Sequence, residues 1–136
     1  MSGVRCAGAA LGLLLALAAP GLAQTSFLEF ESGPVRPLAL TPDGTRLLAC
    51  NTPDSRLSVF DVSNLQNPIL IAEIPVGVEP VSVNTPSNDE AWVVNEVSDS
   101  VSIVSVSAHV VTDTLYVKDE PADVVFANGR AFVSCA

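Results

Sequence analysis

Positive charge is scarce in this chain. Six Lys and Arg stand against 15 Asp and Glu, for a formal charge of -9. No basic stripe runs through it, so nucleic acid and anionic membrane surfaces are repelled rather than bound. No apolar run reaches the ~20 residues that a membrane-spanning helix needs. Three cysteines are too few for a disulfide scaffold. The single histidine, His109, has no partners at a recognisable ligand spacing, so a zinc site has no basis in the sequence. Patterns for covalent haem attachment (Cys-x-x-Cys-His), a nucleophile elbow (Gly-x-Ser-x-Gly) and a phosphate loop are all missing. Helical periodicity is missing after residue 23.

The chain begins with the pattern of a secretory signal peptide. One positive charge, Arg5, precedes an Ala- and Leu-dominated run over residues 6–19. Gly21-Leu22-Ala23 then places small residues three and one before a cut, which predicts a signal over 1–23 and a mature start at Gln24. No cysteine follows the cut, which argues against a lipid anchor. The expected location is secreted, periplasmic or at the cell surface, with no stable membrane span after cleavage. Cleavage leaves five basic residues against 15 acidic ones, and leaves Cys50 and Cys135 as the remaining thiols. An exported compartment permits disulfides.

The rest of the chain is one unit written twice and begun a third time. It opens at Arg36-Pro37-Leu38-Ala39-Leu40, then Glu79-Pro80-Val81-Ser82-Val83, then Glu120-Pro121-Ala122-Asp123-Val124. The prolines recur after 43 and then 41 residues. Each opening runs into a turn: Thr41-Pro42-Asp43-Gly44, Thr85-Pro86-Ser87-Asn88 and Asn128-Gly129. Short alternating or apolar runs between Pro, Gly, Asn, Asp and Ser clusters read as strands. Four strands are expected in the first unit, over 38–41, 46–51, 56–62 and 69–76. Four are expected in the second, over 81–84, 91–96, 100–106 and 110–117, and two in the third, over 122–127 and 130–135. A repeat of this length built of short strands marks a β-propeller. The fold class is therefore all-β: four-stranded blades, incomplete in this chain, with blade 1 over about 36–76, blade 2 over about 79–117 and blade 3 begun over 120–136.

The second strand of each unit is nearly all apolar, as in Leu47-Leu48-Ala49-Cys50. A strand covered on both faces by neighbouring sheets has no reason to alternate. Trp92 falls in such a strand and reads as core between blades. Cys50 and Cys135 fall in the middle strands of the first and third units. A whole blade separates them, beyond the ~5.5 Å Cα spacing of a disulfide, so both read as unpaired, buried apolar fillers. Residues 26–32, containing Phe27-Leu28-Glu29-Phe30, occupy the slot of an outer strand with no strands ahead of it and read as a ring-closing strand.

The second strands align as Leu48-Ala49-Cys50-Asn51, Trp92-Val93-Val94-Asn95 and Phe132-Val133-Ser134-Cys135. The third strands align as Leu57-Ser58-Val59-Phe60-Asp61 and Val101-Ser102-Ile103-Val104-Ser105, and Ile74-Pro75-Val76-Gly77-Val78-Glu79-Pro80 links one unit to the next. Over residues 37–136 these stretches resemble the YVTN family of β-propeller repeats, although no unit carries Tyr, Val, Thr and Asn all in place. The WD and GH dipeptides of WD40 repeats are absent. The resemblance implies an exported or surface protein, a ring of about seven blades within the usual range of roughly 4–8, and a binding or scaffold role. It also implies an alternative, since relatives include lactonase-like propellers and propellers joined to c-type haem domains. In that case the chain is the propeller part of an extracytoplasmic enzyme whose catalytic residues lie elsewhere.

In a propeller, the loops before the first strand and between the second and third strands share one face around the channel mouth. Here that face would hold Arg36, Glu79, Lys118, Asp119 and Glu120 from the first set, and Asp54, Arg56, Glu96 and Asp99 from the second. Asp123, on the innermost strand, would point toward the channel. Such an acidic mouth would attract a cation or a basic partner. The expected occupant is a protein, glycan or small ligand at Asp123, Glu79, Glu120, Asp119, Glu96 and Asp99. No residue takes a catalytic, cofactor or metal-ligating role.

Overall fold

The computed structural model describes residues 33–136. The leader over 1–23, the start at Gln24 and the closing strand over 26–32 lie outside the described residues. Within them the chain is all-β, with ten strands and no helix. β1 (Leu38–Leu40), β2 (Arg46–Asn51), β3 (Arg56–Asp61) and β4 (Ile69–Pro75) form one antiparallel sheet in chain order. β5 (Pro80–Asn84), β6 (Glu90–Asn95), β7 (Ser100–Ser105) and β8 (Val110–Tyr116) form a second. β9 (Pro121–Ala127) and β10 (Arg130–Cys135) form a separate hairpin. The repeat is thus a structural unit, and its opening strands β1 and β5 belong to different sheets.

The turns explain where the strands stop. β1 ends at Leu40, one residue short of expectation, because Thr41 closes the first turn. Its N–H donates to the Arg46 carbonyl at 3.0 Å, and its hydroxyl donates to Asp43 at 2.7 Å. Five residues separate β1 from β2 and five separate β5 from β6, but only Asn128 and Gly129 separate β9 from β10. Both of those residues have positive φ, 50° and 70°, the geometry of a type I′ hairpin that Asn-Gly favours.

Two cores hold the sheets face to face. Leu48, Leu57, Val59 and Ile74 of the first sheet pack with Val83, Ala91, Val93 and Val104 of the second. Val81, Val94 and Val101 of the second sheet pack with Val124 of the hairpin, joined by Trp92, Phe126, Ala131 and Val133. The middle strand β6 therefore serves both cores: Ala91 and Val93 belong to one, Trp92 and Val94 to the other. This is why its apolar run does not alternate. Each buried Val or Leu contributes about 1.5–3 kcal/mol relative to exposure. The outer strands β4 and β8 are mostly exposed.

Polar bonds reinforce the stacking. The Thr52 hydroxyl donates to the Pro80 carbonyl at 2.8 Å, and the Thr85 hydroxyl to the Leu40 carbonyl at 3.0 Å, both joining the first two sheets. The Asn84 amide donates to the Val124 carbonyl at 3.0 Å, joining the second sheet to the hairpin.

One expectation is corrected. Cys50 is partly covered, and burial pushes its thiol up to about 12, but Cys135 is exposed. Among the described residues no sheet covers that face of β10, so the position remains open. Both thiols are free. Arg36 lies beside the inner strands. Residues 35 and 36 run along the free edge of β5: Val35 and Arg36 N–H groups donate to the Val81 carbonyl, and Val83 N–H donates to the Arg36 carbonyl. A strand edge satisfies its backbone groups wherever a segment can reach it.

Candidate functional site

The inner strands carry a charged group bonded across three segments of the chain. Asp123 on β9 accepts from the Ser82 hydroxyl on β5 at 2.6 Å, from the Val124 N–H at 2.9 Å and from the Arg36 guanidinium. Arg36 and Asp123 form an ion pair across 87 residues of sequence. Partial burial pushes the Asp123 carboxyl up. The hydrogen bonds from Ser82, Val124 and Arg36, together with the Arg36 charge, outweigh it and hold the group below the ordinary carboxylate value. Arg36 therefore ties the segment before β1 to the second sheet and to the hairpin at once.

The loops before β5 and β9 lie at one end of the sheets with the β2–β3 and β6–β7 turns. The Asp99 carboxylate accepts from the Glu120 N–H at 3.1 Å, and the Glu96 N–H donates to the Glu79 carbonyl at 3.0 Å. Asp119 and Glu120 carbonyls both accept from the Ala136 N–H. Glu79 and Glu120, equivalent in the repeat, both take positive φ, 60° and 47°. So do Ser55 and Asp99, equivalent residues of the two turns. The left-handed region is uncommon for such residues, and its recurrence shows that the second and third units make the same sharp entry, which the first unit does not make at Arg36. Glu96 and Asp99 are partly buried, while Asp54, Lys118, Asp119 and Glu120 are exposed. Among the described residues, no three His, Cys, Asp or Glu side chains converge closely enough to hold a metal ion.

Sequence reasoning missed two groups. The first is the Arg36–Ser82–Asp123 cluster. Its signal was a charge reversal: Arg36 stands where the other units have Glu79 and Glu120, and Ser82 and Asp123 occupy matching positions on otherwise apolar strands. The second is Asn95, which is fully buried. Its amide donates to the Ser100 and Ser102 hydroxyls at 3.2 and 3.0 Å, while its Oδ1 has no partner. The equivalent Asn51 donates to Asp54 at 3.0 Å. Both asparagines thus brace the turn that follows the second strand.

His109 has φ of 57° in the turn before β8 and lines a groove between the first two sheets with Asp43, Asp61 and Arg46. Arg46 pairs with Asp61 at 3.0 Å. Trp92 is half-buried and meets Phe126 edge-on, with ring centroids 5.3 Å apart and planes at 88°.

Solved structures share this arrangement. The chain superposes on hydrazine synthase from Kuenenia stuttgartiensis with a TM-score of 0.66 at 26% identity, covering 84% of this chain and 32% of that one. It superposes on a functionally unknown protein from Desulfotomaculum acetoxidans with a TM-score of 0.65 at 17% identity, covering 72% and 34%. The chain thus spans about a third of the length of these solved chains. No protein-family profile matches it, and no curated protein sequence does. What the comparisons show is a fold shared with larger proteins: stacked antiparallel four-stranded sheets, consistent with a β-propeller-like module.

Proposed function

We propose that this chain belongs to an exported β-propeller of the YVTN type, acting as a binding or scaffold module. The observation that carries the reading is the side-by-side stacking of equivalent four-stranded units, with β1, β5 and β9 adjacent along one side. A ring built this way gathers its unit-linking loops at one end. The ligand, whether protein, glycan or small molecule, would meet Glu79, Glu96, Asp99, Asp119 and Glu120 there. Asp123 is reassigned in this reading. Bound to Arg36 and Ser82, it positions the inner strands rather than offering a free carboxylate.

A photo-crosslinking residue at position 96 or 119 of the exported, full-length protein tests the role. The expected result is one dominant adduct that a residue at position 112, on the outer strand, does not give. Equal labelling at all three positions contradicts a specific mouth. Mass spectrometry of the exported N-terminus tests the leader, with Gln24 expected as the first residue.

A second reading has support from one observation. A solved relative with 26% identity is itself an enzyme, hydrazine synthase. The chain would then be the propeller part of an extracytoplasmic enzyme, either a c-type haem redox protein or a lactonase-like hydrolase, with its chemistry on other segments. A Cys-x-x-Cys-His motif in the longer reading frame would favour the redox form.

A further inference from the structure

The two inter-sheet seams differ at the end opposite the acidic loops. At the first seam, the turns over 41–45 and 85–89 are joined by a hydrogen bond from the Asp43 N–H to the Asn88 side chain at 3.0 Å. At the second seam, the turn before β10 has only two residues, and no hydrogen bond joins it to the turn over 85–89 among the described residues. A groove of about 490 Å³ lies beside this turn, within the roughly 300–1,000 Å³ range of ligand pockets; the groove at the first seam, lined by Arg46, Asp61 and His109, has no aromatic floor. Trp92 and Phe126 form its floor, and Glu90, Asn128 and Arg130 form its rim.

This groove is organised before any ligand arrives. The Trp92 indole N–H donates to the Glu90 carboxylate at 2.6 Å, and the Phe126 ring meets the indole edge-on, so the indole is held from two sides. The equivalent residue at the first seam, Leu48, is fully buried. At the second seam a larger, flat aromatic stands there and stays partly open. Arg130 is exposed and, among the described residues, forms no ion pair or side-chain hydrogen bond, although the equivalent Arg46 is paired with Asp61. Its guanidinium donors are available to a ligand.

We infer that this seam binds a neutral saccharide, with the sugar's C–H face on the Trp92 indole and its hydroxyls on Glu90, Asn128 and Arg130. A sugar ring pairs an apolar face with a belt of hydroxyls, and the groove pairs an aromatic floor with a polar rim. The rim carries one acid and one base, so it presents no net field to select a charged ligand. The site lies at the other end of the sheets from the acidic loops and is independent of the function proposed for them.

Trp92 is the only tryptophan, so its fluorescence reads this groove alone. The test is titration of the full chain with neutral glucose, mannose and N-acetylglucosamine oligosaccharides, and with uronic acid oligomers for comparison. The expected result is a saturable change in Trp92 emission with one of the neutral series. Arg130→Ala should weaken that response about tenfold, the scale of losing one charge-assisted hydrogen bond. Because Arg130 is exposed, the variant should keep the parent far-UV spectrum. Any of three results would overturn the inference: no saturable change with a neutral oligosaccharide, a response confined to the acidic oligomers, or an equal response in Arg130→Ala.

Discussion

The seam between the first two sheets and the seam between the second sheet and the hairpin are made from the same repeat, yet they are not equally closed. One side-chain position shows the difference. Leu48, Trp92 and Phe132 are equivalent residues in successive units. Leu48 is 0% exposed, Trp92 is half-buried, and Phe132 is 53% exposed. Burial at this position depends on the neighbouring sheet and not on the residue's own strand. Stability in stacked repeats is approximately a sum of unit terms and contacts between neighbours, and here the neighbour term can be read side chain by side chain.

The largest expected effect lies at the closed seam. Leu48→Ala should cost about 2–5 kcal/mol by leaving a cavity in a packed core, measured by urea denaturation. A loss below 1 kcal/mol, no more than typical surface changes give, would show that the seam is looser than its burial indicates. Gly77 lies against the same seam. A Cβ there would stand 2.4 Å from the Ser98 hydroxyl and 2.6 Å from the buried Asn95 amide. Gly77→Ala should therefore cost about 1–3 kcal/mol through overpacking. Unchanged stability would mean that the Asn95 side chain moves freely.

The second seam has an electrostatic component that pH can remove. The Asp123 carboxyl is held below its ordinary value of 3.8. Its contribution is therefore present above that value and is lost as pH falls through the lower, folded value. Asp123→Asn should flatten the fall in melting temperature below about pH 4. Part of the slope should remain, because hydrogen bonds also hold Asp43, Asp61 and Asp89 low: mainly Thr45 N–H for Asp43, Ser63 N–H for Asp61 and the Ser107 side chain for Asp89. An identical acid slope in wild type and variant would mean that the Arg36–Asp123 pair is not formed in solution. The smallest effect belongs to the open face. Phe132→Ser should change stability by no more than about 0.5 kcal/mol while reducing self-association in light scattering, since exposed strand faces invite aggregation.

Local patterns made much of the fold legible. The bounds of β2 and β10 match the sequence expectation residue for residue, because polar or turn residues stand at both ends of each apolar run. The Asn128-Gly129 turn was readable for the same reason. What escaped is non-local. Arg36 was grouped with the charges of the equivalent loops, Glu79, Lys118, Asp119 and Glu120, and its pairing with Asp123, 87 residues away on another unit, was not foreseen. Cys135 was read as buried because it falls in a middle strand, but that strand has no covering sheet among the described residues and the thiol is exposed. The groove beside Trp92 is lined from two units, Trp92 and Glu90 on one and Phe126 and Arg130 on the other, so it appears only when the units are packed together.

The account rests on each open sheet face being the seat of a further unit. The direct test is the thiol-labelling rate of Phe132→Cys, with the other cysteines replaced by serine, in this chain and in a longer protein that carries a further repeat unit after it. Labelling should be fast here and slower by about tenfold or more in the longer protein, as protection by a packed neighbour requires. Equal rates in the two would contradict the stacked arrangement.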